Sequence, residues 1–582
     1  MRPSRFAGAV VLAGACILLG CEPAARDQKA ANSNEPVQAA STQGAASTAA
    51  PAGASLAPLQ KDQPAVADST PAPEAAPAEP PATVVAQGTV ENFTGNAAPP
   101  PENTEKYLPI NDNGVKEVAE QPVSTFSIDV DTGSYANIRR FLMNGQKPPK
   151  DAVRVEEMVN YFGYDYPAPE DKSTPFKTTT YVTKTPWNPD TYLLEIGIKG
   201  YQPQGERPPA NLVFLIDVSG SMDEPDKLPL LKSGMRLLAD QLRPDDKVSI
   251  VVYAGAAGVV LEPTLGKDKQ KIDDALDHLQ AGGSTAGGEG IQLAYKIAKE
   301  AHIDGGINRI ILATDGDFNV GITDLDQLKA MIEDSRKSGI ALTTLGFGEG
   351  NYNDALMEQL ADVGNGNYGY VDSLKEAKRL LVDQLDATIE TIAKDVKIQI
   401  EFNPAVVAEY RLIGYEDRAL KREDFNNDKK DAGEIGAGHT VTALYEIALK
   451  GSKGLSVDPL RYGNQPTNQI APTNANTDEF AFLRLRYKEP DGDTSKLIET
   501  PLATSRLENP DSGDRELDFA AAVAALGQKL RGGDYLRGYS YDKIAELAKA
   551  SRGSDGDGAR AEFIDLVELA KAVDKDAVAG TE

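Results

Sequence analysis

Cysteine is almost absent from this chain of 582 residues: Cys16 and Cys21 are the only two. Both lie in the first 21 positions, so the rest of the chain has no disulfide framework and no thiol nucleophile. Such a body is compatible with an oxidising compartment. Histidine is nearly as scarce, with His278, His302 and His439 the whole supply. That leaves almost no material for a histidine zinc site or a Ser-His-Asp triad. Positive charge is also short: 60 Lys and Arg against 88 Asp and Glu leave a formal net charge of -28. The balance argues against nucleic acid as a partner and against simple electrostatic attachment to anionic lipid. The length exceeds one hydrophobic core and predicts two or three domains with linkers.

Long apolar runs are missing too, with one exception at the start. Arg2 and Arg5 precede an apolar run from Phe6 to Leu19, a signal-peptide pattern too short for a comfortable membrane span. It ends in Leu18-Leu19-Gly20-Cys21, which resembles the lipobox of bacterial lipoproteins, where the cysteine is acylated and becomes the new N-terminus. The resemblance makes Cys21 the expected lipidation site. Several acyl chains on one cysteine give stable anchoring, since each buried CH₂ adds about 0.8 kcal/mol. Glu22 stands where an Asp favours inner-membrane retention under the enteric sorting rule, and so points to the outer membrane. From Glu22 to about Pro101 the composition is Ala, Pro, Ser, Thr and Gln. Such a segment cannot bury enough apolar surface to offset its chain entropy, and a disordered tether is expected. As flexible coil, its roughly 80 residues would span about 50 Å.

The most informative stretch is NLVFLIDVSGSMDE, starting at Asn211. Leu212 to Ile216 run apolar without alternation, as in a parallel strand buried on both faces. Asp217, Ser219 and Ser221 follow as D-x-S-x-S, and a helical pattern then begins with Leu228, Leu231, Met235 and Leu238. Three oxygen-bearing side chains thus occupy a strand-to-helix turn at the carboxyl end of a buried strand, where open α/β sheets bind ligands. Carboxylate plus hydroxyls suits a hard divalent cation such as Mg²⁺. Helix capping by Asp or Ser is the competing explanation of these three residues taken alone.

Ahead of that stretch, helices are expected near Tyr135–Asn144 and Val153–Phe162. Asp131-Thr132-Gly133-Ser134 spells an aspartic-protease triplet without a second copy, and Asp129 with Asp131 only half matches a phosphatase D-x-D. A helix cap by Asp131, Thr132 or Ser134 is the plainer reading. Tyr192, Leu194, Ile196 and Ile198 alternate as in a strand with one wet face, and Trp187 beside Pro186 reads as turn packing. From Asn211 to about Lys394 strands and helices alternate. Strands are expected at Leu212–Ile216, Val248–Tyr253, Arg309–Ala313, Ala341–Phe347 and Tyr368–Val371, and helices at Asp268–Leu279, Gly287–Ala301, Leu325–Ser338 and Leu374–Ile392. Residues 248–265 suggest a strand pair with an antiparallel edge. The alternation implies a mostly parallel, doubly wound sheet. After Lys394 the period becomes two, with Val396, Ile398, Ile400 and Phe402 on one face, then Val441–Ile447 and Ala481–Tyr487. This matches residues 176–200, so one β-rich domain is expected from segments on both sides of the α/β unit. Phe519, Val523, Leu526 and Leu530 open a helical tail.

These shifts divide the chain into a signal peptide (1–20), a tether (21–104), an N-terminal α+β region (105–207), an α/β domain (208–394), a β-rich region (395–510) and a helical C-terminal region (511–582).

Two further segments bear on D-x-S-x-S. AGGSTAGGEG carries Thr285 in a glycine-rich loop, and RIILATDGDFN places Asp315 after a second buried strand. Parallel neighbours would bring Asp217, Ser219, Ser221, Thr285 and Asp315 to one sheet edge. The glycine loop lacks the GK[ST] of a P-loop. DFNNDKKDAGE from Asp424 has Lys429 where a calcium loop needs Gly and is read as a polar turn; Asp555 and Asp557 are read as loop.

The three motifs, in this order on these elements, resemble a von Willebrand factor type A domain over residues 208–392, and the five residues match its metal-ion-dependent adhesion site (MIDAS). FSIDVDTGSYANIRRFL, VRVEEMVNYF and the C-terminal half resemble bacterial lipoproteins of the YfbK-like group. The resemblance implies an A-type (Rossmann-like) fold, Mg²⁺ (or Mn²⁺ or Ca²⁺) as ligand, and a protein partner offering an acidic side chain. The expected protein is a lipid-anchored binding module of the cell envelope, facing the periplasm or cell surface from the outer membrane, and not an enzyme. The alternatives are a metal-assisted hydrolase, with Glu289 or Asp317 as its only nearby base, and an envelope scaffold stabilised by its metal.

Overall fold

The structure, a computed structural model, describes residues 103–171, 173–284, 287–316, 325–458, 478–511 and 513–579. Cys21, most of the expected tether, Thr285 and Asp317 lie outside the described residues.

A six-stranded sheet occupies the middle of the chain. Its order is Tyr368–Val371, Ala341–Phe347, Ile307–Thr314, Ala210–Asp217, Lys247–Tyr253 and Ala257–Leu265. The first five strands are parallel, and the last pairs antiparallel at the edge. Every residue of Ala210–Asp217 and of Ile307–Thr314 is buried, which explains their unbroken apolar character. Leu212, Phe214 and Ile216 pack on Leu228, Leu231, Met235 and Leu238 of helix Leu228–Gln241. Val213 and Leu215 pack on the other face, against Ile291, Ala294 and Ala298 of helix Gly287–Glu300. Each such aliphatic side chain contributes about 1.5–3 kcal/mol by leaving water. The sheet is doubly wound, and the paired carboxyl ends of the two central strands form its crevice.

Around it stands a β-sandwich assembled from both sides of the sequence. One antiparallel sheet runs Lys116–Glu117, Val407–Ile413, Thr440–Leu449, Asn188–Gly200, Phe176–Thr185. The other runs Gly433–Gly436, Thr391–Phe402, Glu479–Lys488, Lys496–Ala503, with Val123–Ser127 also paired to Thr391–Phe402. Leu194, Ile196 and Ile198 meet Val396, Ile398, Ile400 and Phe402 in a shared core, so the period-two faces point at each other. The α/β domain is inserted between Gly200 and Thr391. A third core gathers helices Gly133–Met143, Val155–Asn160, Arg515–Arg531, Tyr541–Ser551 and Ala559–Ala579.

Two local expectations are corrected. The single helix Leu374–Ile392 is broken into Leu374–Lys378, a π-turn Arg379–Asp383, and Leu385–Ile389, after which Ile392 belongs to a strand. Ala377, Leu381, Leu385 and Ile389 are all buried at strict four-residue steps. On an α-helix that spacing rotates the apolar stripe by about 40° per step, and the wider π-turn absorbs the drift. The cap expected from Asp131, Thr132 or Ser134 does not form: helix Gly133–Met143 has no side-chain cap bond at Thr132. Glu157 Oε2 accepts the Ser134 N–H at 2.7 Å instead. Asp131 is engaged elsewhere, accepting the Tyr368 N–H at 2.7 Å and pairing with Arg418 at 3.0 Å. Asp555 and Asp557 lie in a loop as read, and from it they accept N–H groups of Arg560, Ala561 and Ala559 and so cap the last helix. Near Asp424 the chain makes a 3₁₀ turn, Arg422–Asn426, with Asp428 bound to Arg486 and Ser495.

Candidate metal centre

The strand ends bring four of the five sequence-selected residues to one edge of the sheet: Asp217 closes Ala210–Asp217, Ser219 and Ser221 follow, and Asp315 succeeds Ile307–Thr314. Asp217 and Asp315 are fully buried and Ser219 nearly so. The turn is tied by Gly220 N–H to Gly283 O at 3.1 Å and Gly282 N–H to Val218 O at 2.7 Å, which bring the glycine-rich loop beside D-x-S-x-S. Gly290 lets its helix lie against the neighbouring strand, for a Cβ there would sit 2.9 Å from Tyr253 Cβ.

Each oxygen of Asp217 is held in place. Its Oδ1 accepts the Ser219 N–H at 2.8 Å, and its Oδ2 accepts the Thr314 hydroxyl at 2.8 Å. Burial raises the carboxyl to about pH 6; hydrogen bonds from Ser219 and Thr314 oppose the rise, while the Asp315 charge adds to it. The cluster is therefore short of positive charge. Ser219 Oγ and Ser221 Oγ are 3.0 Å apart. Adjacent oxygens of an octahedral Mg²⁺ shell with ligands at about 2.1 Å stand about 3 Å apart, so the hydroxyl pair already has that spacing. Among the described residues no three His, Cys, Asp or Glu side chains converge on a metal position. Here the two carboxylates are complemented by hydroxyls, a hard-oxygen set that fits Mg²⁺.

Sequence reasoning missed the second carboxylate's partners. Lys227 Nζ lies 3.4 Å from Asp315 Oδ2 and 3.2 Å from Asn351 Oδ1, and Asn351 Nδ2 donates to Asp315 Oδ2 at 3.0 Å. The one local signal was a lysine immediately before a helix N-terminus, where the helix dipole disfavours a cation. The loop carrying Asn351 is clamped by the first described segment. Thr104 N–H bonds Gly350 O at 2.7 Å, Lys106 N–H bonds Tyr352 O at 2.9 Å, and Glu105 pairs with Arg140 at 2.8 Å.

A doubly wound sheet with one antiparallel edge, carrying D-x-S-x-S and a second strand-end carboxylate, defines a von Willebrand factor type A domain protein. Residues 211–384 match the von Willebrand factor type A domain family, and residues 101–195 match the family described as von Willebrand factor. Residues 387–573 match the family described as "Uncharacterized protein YfbK, C-terminal". The chain is 49% identical over 477 residues to YfbK of Escherichia coli, across 81% of this chain and 82% of that protein. It belongs to the YfbK family. The Synechocystis protein sll0103 is 32% identical over 171 residues, covering 29% of this chain and 40% of the other. A solved von Willebrand factor type A structure from Catenulispora acidiphila aligns with 16% identity over 67% of this chain and 89% of that one, at a TM-score of 0.38. A domain of this type suggests a protein-interaction or adhesion-type function.

Proposed function

We propose that this protein is a lipid-anchored envelope protein that captures a partner by an acidic side chain, through Mg²⁺ held at the sheet edge. Asp217, Ser219, Ser221 and Asp315 would hold the ion together with Thr285. Mn²⁺ or Ca²⁺ would fit the same oxygen set less selectively. Bound there, the ion would offer a Lewis-acid position to an external carboxylate oxygen. The protein's own part is to fix the turn: Thr314 and the Ser219 N–H orient Asp217, and Asn351 orients Asp315. The observation that carries the reading is the serine hydroxyl pair at 3.0 Å beside two buried strand-end carboxylates. It is the reading of a binding protein rather than a catalyst.

Calorimetric Mg²⁺ titration of the full chain tests it. Wild type should bind one ion per chain, and Asp217→Ala and Ser219→Ala should each weaken binding at least roughly tenfold, the loss of one charged or hydroxyl ligand. Equal affinities in all three would sink the metal site. Capture from envelope extract in Mg²⁺ but not in chelator should then return the partner. Cys21 is the proposed acylation site, in the outer membrane; palmitate labelling that survives Cys21→Ala would refute that part.

A further inference from the structure

We propose that Lys227 is the built-in counter-ion of Asp315 and competes with the divalent cation for that carboxylate, so that it sets the metal affinity of the site. The inference rests on the metal-binding reading above.

Lys227 is only 3% exposed, and a buried ammonium is costly unless it is paired. Its Nζ closes a triangle with Asp315 Oδ2 at 3.4 Å and Asn351 Oδ1 at 3.2 Å, while Asn351 Nδ2 reaches the same Asp315 oxygen at 3.0 Å. Among the described residues the other carboxylate paired with Lys227, Glu224, is 3.9 Å away and 62% exposed, so it adds little. Nothing in the helix explains a cation here: Lys227 precedes Leu228–Gln241, where the positive end of the dipole repels it.

The backbone is shaped around the lysine stem. Gly348 has φ +77, and a Cβ on it would stand 2.1 Å from Lys227 Cε. Its carbonyl is fixed by the Tyr370 hydroxyl at 2.7 Å. The glycine thus leaves room for the lysine stem, whose ammonium group reaches the second carboxylate.

The consequence is a matter of charge. Two carboxylates alone would neutralise a divalent ion. With Lys227 paired to one of them, the ion keeps an excess positive charge. Its binding is weaker, and an anionic ligand from outside is favoured in return.

The test uses the full chain and Mg²⁺ alone. Lys227→Met keeps the stem and removes the charge; it should bind Mg²⁺ at least roughly tenfold more tightly than wild type, because repulsion between one charge and a divalent ion a few ångströms apart exceeds that factor even when strongly screened. In chelator, Lys227→Met should melt below wild type, and the double variant Lys227→Met with Asp315→Asn should recover the loss. Mg²⁺ affinity of Lys227→Met equal to or weaker than wild type, with Asp217→Ala abolishing binding in both, would overturn the inference while leaving the metal site standing. If no variant shows Asp217-dependent binding, the metal reading falls. The melting comparison then decides the counter-ion role, and equal midpoints for Lys227→Met and wild type overturn it.

Discussion

Glu195 is a carboxyl group with no place for its charge. It is fully buried in strand Asn188–Gly200, with Oε1 accepting from the Tyr166 hydroxyl and Oε2 without a hydrogen-bond partner among the described residues. Burial raises it to about 8, with the Tyr166 hydrogen bond opposing and the charges of Asp514, Glu516 and Asp518 adding to the rise. The folded state therefore keeps a proton that the unfolded chain loses above its ordinary pKa of 4.5. Stability should fall by about 1.4 kcal/mol for each pH unit between those two values and then level off. Glu195→Gln should flatten that slope: its melting midpoint should lie above wild type at pH 8.5 and approach it at pH 5, in thermal scans. His439 works in the opposite direction. Burial lowers it to about 4, with Lys199 and Arg379 adding to the effect, so its contribution is lost as pH drops below about 6.5. Residues whose chemistry is local were legible in the sequence. Asp217, Ser219 and Ser221 announce a strand-end turn by themselves. Lys227 was not legible, because its partner Asp315 is 88 positions later and Asn351 is 124 away.

Elements are joined by buried charge as much as by apolar packing. Arg139, on helix Gly133–Met143, pairs with Asp372 at 2.6 Å, Glu376 at 2.8 Å and Glu562 at 2.9 Å. Those partners come from the turn after strand Tyr368–Val371, from the broken helix and from the last helix. Arg154 likewise pairs with Glu157 and with Asp354, and Arg418 with Asp129, Asp131 and Asp362. Arg139→Met would leave the buried Asp372 without its arginine and would take one of two cationic partners from Glu376 and from Glu562, which keep Arg379 and Lys375. It should cost about 3–5 kcal/mol in urea unfolding, far more than the pair would yield in favourable net energy. Gly348→Ala should also destabilise, through both positive φ and the collision with Lys227. The strands of the α/β sheet were legible to within a residue or two, since unbroken apolar runs admit few other structures. The π-turn was not, because the four-residue spacing of Ala377, Leu381, Leu385 and Ile389 looks helical throughout. The cap read at Asp131 shows the same limit: capping and ion pairing use the same side chains, and its partners Tyr368 and Arg418 are remote in sequence.

At the scale of the whole molecule, the α/β domain is a guest in the sandwich, entering after Gly200 and leaving before Thr391. Period-two patterning on both flanks was enough to infer one β-rich domain from two segments. The placement of Val123–Ser127 beside Thr391–Phe402 was not, since strand order depends on pairing that short alternating runs do not specify. The helical tail is part of the core: Leu517, Phe519, Val523 and Leu526 are fully buried against Val155, Met158 and Phe162. A chain ending before Arg515 should therefore lose its single cooperative transition in calorimetry, with soluble yield falling sharply. The clamp at Thr104–Lys106 has a mechanical meaning. Tension on the chain upstream of Thr104 loads two backbone hydrogen bonds to Gly350 and Tyr352 before it reaches any sheet. Those bonds hold the loop whose Asn351 steadies Asp315. A pull on the leading end would loosen that loop first, and the grip of the sheet edge would become a function of force.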